Sequence, residues 1–365
     1  MLKKFSVWGY RTFEKNVTLD LSKTREYKFN EEDVRNGIVN NGLVIGRNAS
    51  GKSNLARAIS DIADVFYRGS WGDVASEDPL FLNADNGSGF ASFEYVFQFD
   101  DQEVTYSYDR TPSGAFLHER LMLGEELVFD FDNSAARLRG GNLSLVGAQH
   151  VNWKYDDAYL CLLSYVINTV PRDRLGILDK LSRFVGAMQV FDLNRARDTN
   201  VRGFAQKIID RGKVSEFEDF LRRFGVDEHL VEMTDPDGRK SIYSKHSQRL
   251  IPFAEACSSG TMMLLRLYSK YALQPVKSFC FFDEFDAYCH FEMAEELVRF
   301  FGESSECQTI CSTHNTSLVK NDVMRPDCVF LLSNDRTLAS LSDRTSRELR
   351  QGHNIEKLYR NGEFG

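Results

Sequence analysis

Several short runs in this chain have the residue types and spacing to handle a phosphorylated ligand. Gly46-Arg-Asn-Ala-Ser-Gly51-Lys52-Ser53 fits G-x-x-x-x-G-K-[ST], with an apolar strand-like run before it and helical spacing after it. Glycines there let the backbone curl so that successive N–H groups face phosphate, and the following helix start adds positive potential. In that arrangement Lys52 reaches the β- and γ-phosphates of ATP and the Ser53 hydroxyl ligates Mg²⁺, while Asn48, Ala49, Ser50 and Asn54 complete the nucleotide contacts. Phe279-Cys-Phe-Phe-Asp283-Glu284 is an apolar strand ending in two acids. A buried strand would deliver Asp283 to its carboxyl end, where it can hold Mg²⁺. Glu284 is then placed to take a proton from an attacking water, or simply to cap the next helix.

Two further candidates read either way on their residues alone. Ser258-Ser259-Gly260-Thr261 opens an apolar helix, so its hydroxyls are good N-caps, but a helix start can also grip a phosphate. His314, in Ile310-Cys-Ser-Thr-His-Asn, is either an ordinary loop histidine or a sensor of the γ-phosphate.

The elements that must position these residues alternate between strand and helix. Lys4–Trp8 and Asn16–Leu21 read as strands, and residues 37–45 as the strand feeding the glycine-rich turn. Leu55, Ala58, Ile59, Ile62, Val65 and Phe66 have helical spacing. From Phe90 to Phe131 the pattern has period two, which predicts a small antiparallel sheet. Residues 155–225 return to helical spacing, without a sustained heptad run. The last third alternates strand and helix: Ser278–Phe282, a helix through Phe301, Gln308–Ser312 and Cys328–Ser333. That order implies a parallel sheet with crossover helices. The expected division is an N-terminal lobe (1–150), a helical insertion (151–250), a C-terminal lobe (251–340) and a tail (341–365).

Composition narrows the classes. The chain has 365 residues, 42% hydrophobic and 27% charged, enough for a sizeable core. No apolar run approaches the roughly 18–20 residues of a membrane span; the best, Tyr159–Val170, is interrupted by Ser164 and Asn168 and stops at Pro171. Trp8, Tyr10 and Arg11 break any signal-peptide core, so a cytoplasmic protein with no membrane partner is expected. Seven cysteines without a Cys-x-x-Cys pair fit buried thiols of a reducing compartment. Cys307, Cys311 and His314 lack a fourth ligand for zinc. A net charge of −8 argues against a surface coated for nucleic acid, though not against a local basic groove.

The order of these runs resembles the ABC-class ATPases. More narrowly, Gly46-x-Asn48-x-Ser50-Gly51-Lys52-Ser53 is similar to the phosphate loop of SMC, RecF and OLD-type proteins. Asp283-Glu-Phe-Asp-Ala-Tyr-Cys-His290 and Ser312-Thr-His-Asn315 resemble their Walker B, D-loop and switch histidine. The likeness covers residues 1–130 and 250–335. It implies an α/β head with a mixed, largely parallel sheet, a small antiparallel β-subdomain and a compact helical insertion in place of a coiled-coil arm. It also implies a head-to-tail homodimer in which Ser258, Ser259 and Gly260 of one chain meet the γ-phosphate on the other's loop, with Asp286 as the D-loop acid. Cys257-Ser-Ser-Gly-Thr and Cys289-His-Phe291 depart from the wider family's signature and post-Walker B sequences. The family's Q-loop glutamine has two candidates, Gln98 and Gln149.

Ser-Ser-Gly-Thr, Asp-Glu-Phe-Asp and the ending from Gly352 resemble the stand-alone ATPases of bacterial phage-defence operons, of the RloA, AbiLi and PARIS types. That resemblance implies a slow ATPase that acts with a separately encoded effector, a TOPRIM or RloB-like nuclease or toxin. The alternative is a DNA-repair ATPase of RecF or SMC type that binds DNA in an ATP-dependent way. Two basic groups are candidate docking surfaces: Asn194–Lys213, and Arg344, Arg347 and Arg350, whose spacing of three predicts one helical face.

Overall fold

The computed structural model describes residues 1–68, 78–152, 157–192, 201–304 and 306–365. In chain order its strands begin with β1 (Leu2–Trp8), β2 (Val17–Asp20), β3 (Val34–Arg35), β4 (Ile38–Val39) and β5 (Asn41–Ile45). After helix α1 (Lys52–Arg68) come β6 (Ala91–Phe99), β7 (Gln102–Arg110), β8 (Phe116–Leu123), β9 (Glu126–Asp132) and β10 (Arg137–Gly140). Helices α2 (Leu162–Thr169), α3 (Arg172–Leu175) and α4 (Ile177–Gly186) lead to β11 (Gln189–Asp192), then α5 (Val201–Asp210) and α6 (Val214–Arg223). Strands β12 (Leu230–Thr234), β13 (Lys240–Lys245) and β14 (Leu250–Pro252) precede α7 (Phe253–Ala256) and α8 (Ser259–Leu267). The chain closes with β15 (Phe279–Asp283), α9 (Phe291–Gly302), β16 (Gln308–Thr313), β17 (Val329–Leu332), β18 (Leu338–Ser340) and α10 (Ile355–Arg360).

Two large sheets organise these elements. One has the order β11-β15-β16-β5-β17-β18 and is parallel except for β18. Every residue of β5, β15, β16 and β17 is buried, as expected of strands covered on both faces. The other is antiparallel, in the order β10-β9-β8-β7-β6-β1-β2. The period-two run thus joins the first two strands of the chain in one seven-stranded sheet.

Helix α1 packs against β11 and β15 of the parallel sheet and is tied to the antiparallel one. The Tyr95 hydroxyl donates to Ala58 O (2.8 Å), and the Tyr108 hydroxyl and Arg110 both donate to the buried Asp61 carboxylate (2.7 and 2.5 Å). Leaving the buried Asp61 carboxylate without Arg110 would cost on the order of 3–5 kcal/mol and leaving a tyrosine hydroxyl unpaired about 1–3 kcal/mol, so the network fixes α1 on that sheet. A second stitch is Gln308, fully buried at the start of β16. Its Oε1 accepts from Leu2 N (2.9 Å), and its Nε2 donates to Leu2 O and Val39 O (2.8 Å each).

Two segments differ from the sequence reading. Within 151–250, β11 adds an edge to the parallel sheet, and β12 and β13 join β14 in a separate three-stranded sheet, so that segment is not purely helical. Arg344, Arg347 and Arg350 do not share a helical face, because 344–350 is not helix. The Thr345 hydroxyl accepts from Arg347 N (3.1 Å), a local bond that competes with helix formation. Arg344 turns inward, donating to Leu331 O (3.2 Å), while Arg350 pairs with Glu348. In the other basic segment, residues 194–200 with Arg195 and Arg197 lie outside the described residues. Arg202 there pairs with Glu255 and Lys213 with Glu216. Among the described residues, no helix is long and apolar enough to cross a membrane.

Candidate ATPase site

The carboxyl ends of β5, β15 and β16 converge on one cavity of about 470 Å³, lined by Thr12, Asn48–Asn54, Glu284 and His314. The loop from β5 to α1 is shaped by glycine where side chains would clash. A Cβ on Gly46 would sit 2.5 Å from Leu332 O, and one on Gly51, at φ 112°, would sit 2.9 Å from Thr12 Oγ1. Ala49 adopts φ 60°, a left-handed conformation that a non-glycine residue takes at a cost. The buried Ser50 hydroxyl finds no hydrogen-bond partner among the described residues.

Lys52 is almost fully buried, and its Nζ donates to Gly46 O (2.9 Å) and Arg47 O (3.2 Å). It also lies 3.0 Å from His314 Nδ1. The same Nδ1 is 3.1 Å from Gly46 O, and His314 Nε2 lies 2.8 Å from Glu284 Oε1. Lys52, His314 and Glu284 therefore form one chain of hydrogen bonds. Burial pulls the Lys52 pKa below its ordinary value; the negative fields of Glu284, Asp283 and Asp286 oppose that. Among the described residues no carboxylate pairs directly with Lys52, which leaves its charge for an anion.

Strand β16 holds the acids in place. Ser312 Oγ donates to Asp283 Oδ1 (2.6 Å) and accepts from Glu284 N (2.9 Å). Glu284 itself is left-handed, at φ 47°. Such strain persists only where neighbours over-determine it, and the bond from Phe285 N to Ser312 O (3.2 Å) adds to the restraint. Thr313 Oγ1 donates to Asp286 Oδ2 (2.8 Å), while burial raises the Asp286 pKa.

The loop residues, Glu284 and His314 thus share the cavity, with Asp283 and Asp286 joined through Ser312 and Thr313. Ser258, Ser259 and Gly260 do not line it. Ser258 caps α8, its Oγ accepting from Thr261 N (3.2 Å). Gly260 lies beside the segment after Asp286, since a Cβ there would be 3.0 Å from Tyr288 O. Neither Gln98 nor Gln149 lines the cavity; Gln98 donates to Asp100 O (2.8 Å). Cys307 meets Cys280 (Sγ–Sγ 3.4 Å) in the core, apart from the His314 side chain's partners.

The site suits a magnesium nucleotide. Among the described residues it has a curled loop with an orphaned hydroxyl and an ammonium with no carboxylate partner, the Ser53 hydroxyl on the cavity wall, and behind it the Asp283 carboxylate, oxygens of the hard type that Mg²⁺ takes. Such a loop on the central strand of a parallel sheet, acids on β15 and a histidine at the end of β16 define an ABC-type ATPase head. The chain belongs to the family described as "AAA domain, putative AbiEii toxin, Type IV TA system", whose profile matches residues 43–320.

Among solved structures it is similar to the SMC head domain from Thermotoga maritima (17% identity, TM-score 0.44, 90% of this chain and 94% of that one). It is also similar to the Pyrococcus furiosus Smc head domain bound to the C-terminal domain of ScpA (15%, TM-score 0.47, 94% and 97%). A third is the recombination mediator RecF (13%, TM-score 0.43, 93% and 98%). No curated protein matches the chain.

Proposed function

We propose that this chain binds and hydrolyses ATP as a head-to-tail homodimer and thereby regulates a separately encoded toxin or nuclease in cytoplasmic antiviral defence. The observation that carries the ATPase reading is the hydrogen-bonded series Lys52–His314–Glu284 at the mouth of the phosphate loop. In this reading Lys52 holds the β- and γ-phosphates, and Glu284 accepts the proton of the attacking water. His314, through Nε2, orients the Glu284 carboxylate. Ser53 and Asp283 would hold Mg²⁺, which when bound neutralises charge on the phosphates. The dimer reading is supported by Ser258 and Ser259, exposed at a helix start yet outside the cavity of their own chain.

Lys52→Ala should abolish ATP binding measured by isothermal titration, and undiminished binding would sink the phosphate-loop assignment. Glu284→Gln should bind ATP normally but release phosphate about 10²–10⁴ times more slowly. Turnover equal to wild type would remove Glu284 as the base.

The family's description names a toxin, which supports a second reading in which this chain is itself the harmful component. Expressing it alone and with its genomic neighbour separates the two. Growth arrest by this chain alone, relieved by the neighbour, favours the toxin; arrest that needs both favours the regulator. A DNA-repair role would require ATP-dependent, salt-sensitive DNA affinity. The net charge of −8 and the ion pairs of Arg202 and Lys213 give that role little support.

A further inference from the structure

We propose that Arg336, on the turn between β17 and β18, is a positioning residue that locks two consecutive peptide planes of the phosphate loop. This rests on the ATP-binding reading of that loop. Arg336 is far from the loop in sequence, and the sheet order brings it close because β17 lies directly beside β5. Its Nη1 donates to both Ala49 O (2.9 Å) and Ser50 O (2.6 Å).

A trans peptide is planar, so fixing a carbonyl also fixes the N–H of the next residue in the opposite direction. Holding Ala49 O sets the Ser50 N–H, which donates to Arg47 O (3.1 Å). Holding Ser50 O sets the Gly51 N–H. The Ser50–Gly51 peptide most needs such a restraint, because glycine accepts either sign of φ and a flip costs little there. A flipped plane would present a carbonyl where an anion site needs a donor.

The turn that presents Arg336 is itself built for the purpose. Arg336 sits at φ 66°, an unfavourable left-handed conformation for a residue with a side chain. Two supports hold the turn. Asp335 Oδ1 accepts from Ser333 Oγ (2.6 Å), Thr337 N (3.2 Å) and Thr337 Oγ1 (2.9 Å). Arg344, half-buried behind it, donates to Thr337 O (3.0 Å) and Ser333 Oγ (3.1 Å). A glycine would satisfy the backbone without strain; the chain carries an arginine whose two polar contacts are both on the phosphate loop.

The test compares wild type, Arg336→Ala, Arg336→Gly and Lys52→Ala as full chains. It measures affinity for a fluorescent Mg²⁺-ATP analogue and the melting temperature of the nucleotide-free protein. Glycine relieves the left-handed strain, so Arg336→Gly should melt no lower than wild type, and it carries the test if the alanine variant folds poorly. Loss of two charge-assisted bonds should still weaken its nucleotide binding about tenfold or more. A merely structural arginine would shift melting and leave affinity alone. Wild-type affinity in Arg336→Gly, with Lys52→Ala unable to bind, would overturn the inference while sparing the ATP site. Equal binding by wild type and Lys52→Ala would instead remove the ATP reading, and this inference with it.

Discussion

Asp33 is an acid buried in the core beside the strands that feed the site. Its carboxylate accepts from Asn41 Nδ2 (3.1 Å) and from Arg325 N (3.5 Å), yet burial outweighs both and pushes its pKa up to about 7. The folded protein therefore binds this proton more tightly than the unfolded chain, whose value is near 3.8. Stability from this group is fully present below the unfolded value, falls as pH rises toward 7, and is flat beyond. Asp33→Asn should remove that component, worth on the order of a few kcal/mol. From pH 4 to 7 the melting temperature of wild type should fall relative to that of Asp33→Asn and then level off; parallel profiles would refute the assignment. Nothing in the surrounding Glu31-Glu-Asp33 run distinguishes the buried acid from its exposed neighbours, because the difference arises only when α9 and β5 close over it. The phosphate loop was legible for the opposite reason. Its demands fall on consecutive backbone positions, so glycine, lysine and serine must appear in fixed order.

The signature segment is best judged as an element, since one serine serves two physical roles. As an N-cap, Ser258 stabilises α8, and Ser258→Ala should cost about 1 kcal/mol. Ser258→Asp keeps an equally good cap and places a negative charge where a partner's phosphate would lie. We expect the aspartate variant to melt like wild type and to lose ATP turnover. Wild-type turnover in it would reduce Ser258 to a cap. Secondary structure was most readable where burial is two-sided or alternating, as in β15, β16 and β7. Strand β11 escaped notice because four residues, with Val190 exposed, are too few to show a period. The arginines at 344, 347 and 350 mimicked a helical face that Thr345 interrupts, and Arg336 carried no signal because its partners are set by the strand order.

At the scale of the whole molecule, the head-to-tail dimer makes a prediction that no single-chain site does. Neither Lys52→Ala nor Ser258→Asp should turn over ATP alone. Mixed in equal amounts they should regain about a quarter of wild-type activity, because about half the dimers are mixed and each contains one intact composite site. A mixture as inactive as its components would count against composite sites. The whole architecture also puts unusual weight on β16, which runs between the strand of the phosphate loop and the strand of the acids. Ser312, Thr313 and His314 address Asp283, Asp286 and the Lys52–Glu284 pair in turn. Moving the strand by one residue would send each side chain to the opposite face and misassign all three together. In a library of single-codon deletions and substitutions, β16 should therefore tolerate conservative replacements at several positions, yet admit no deletion anywhere along its length.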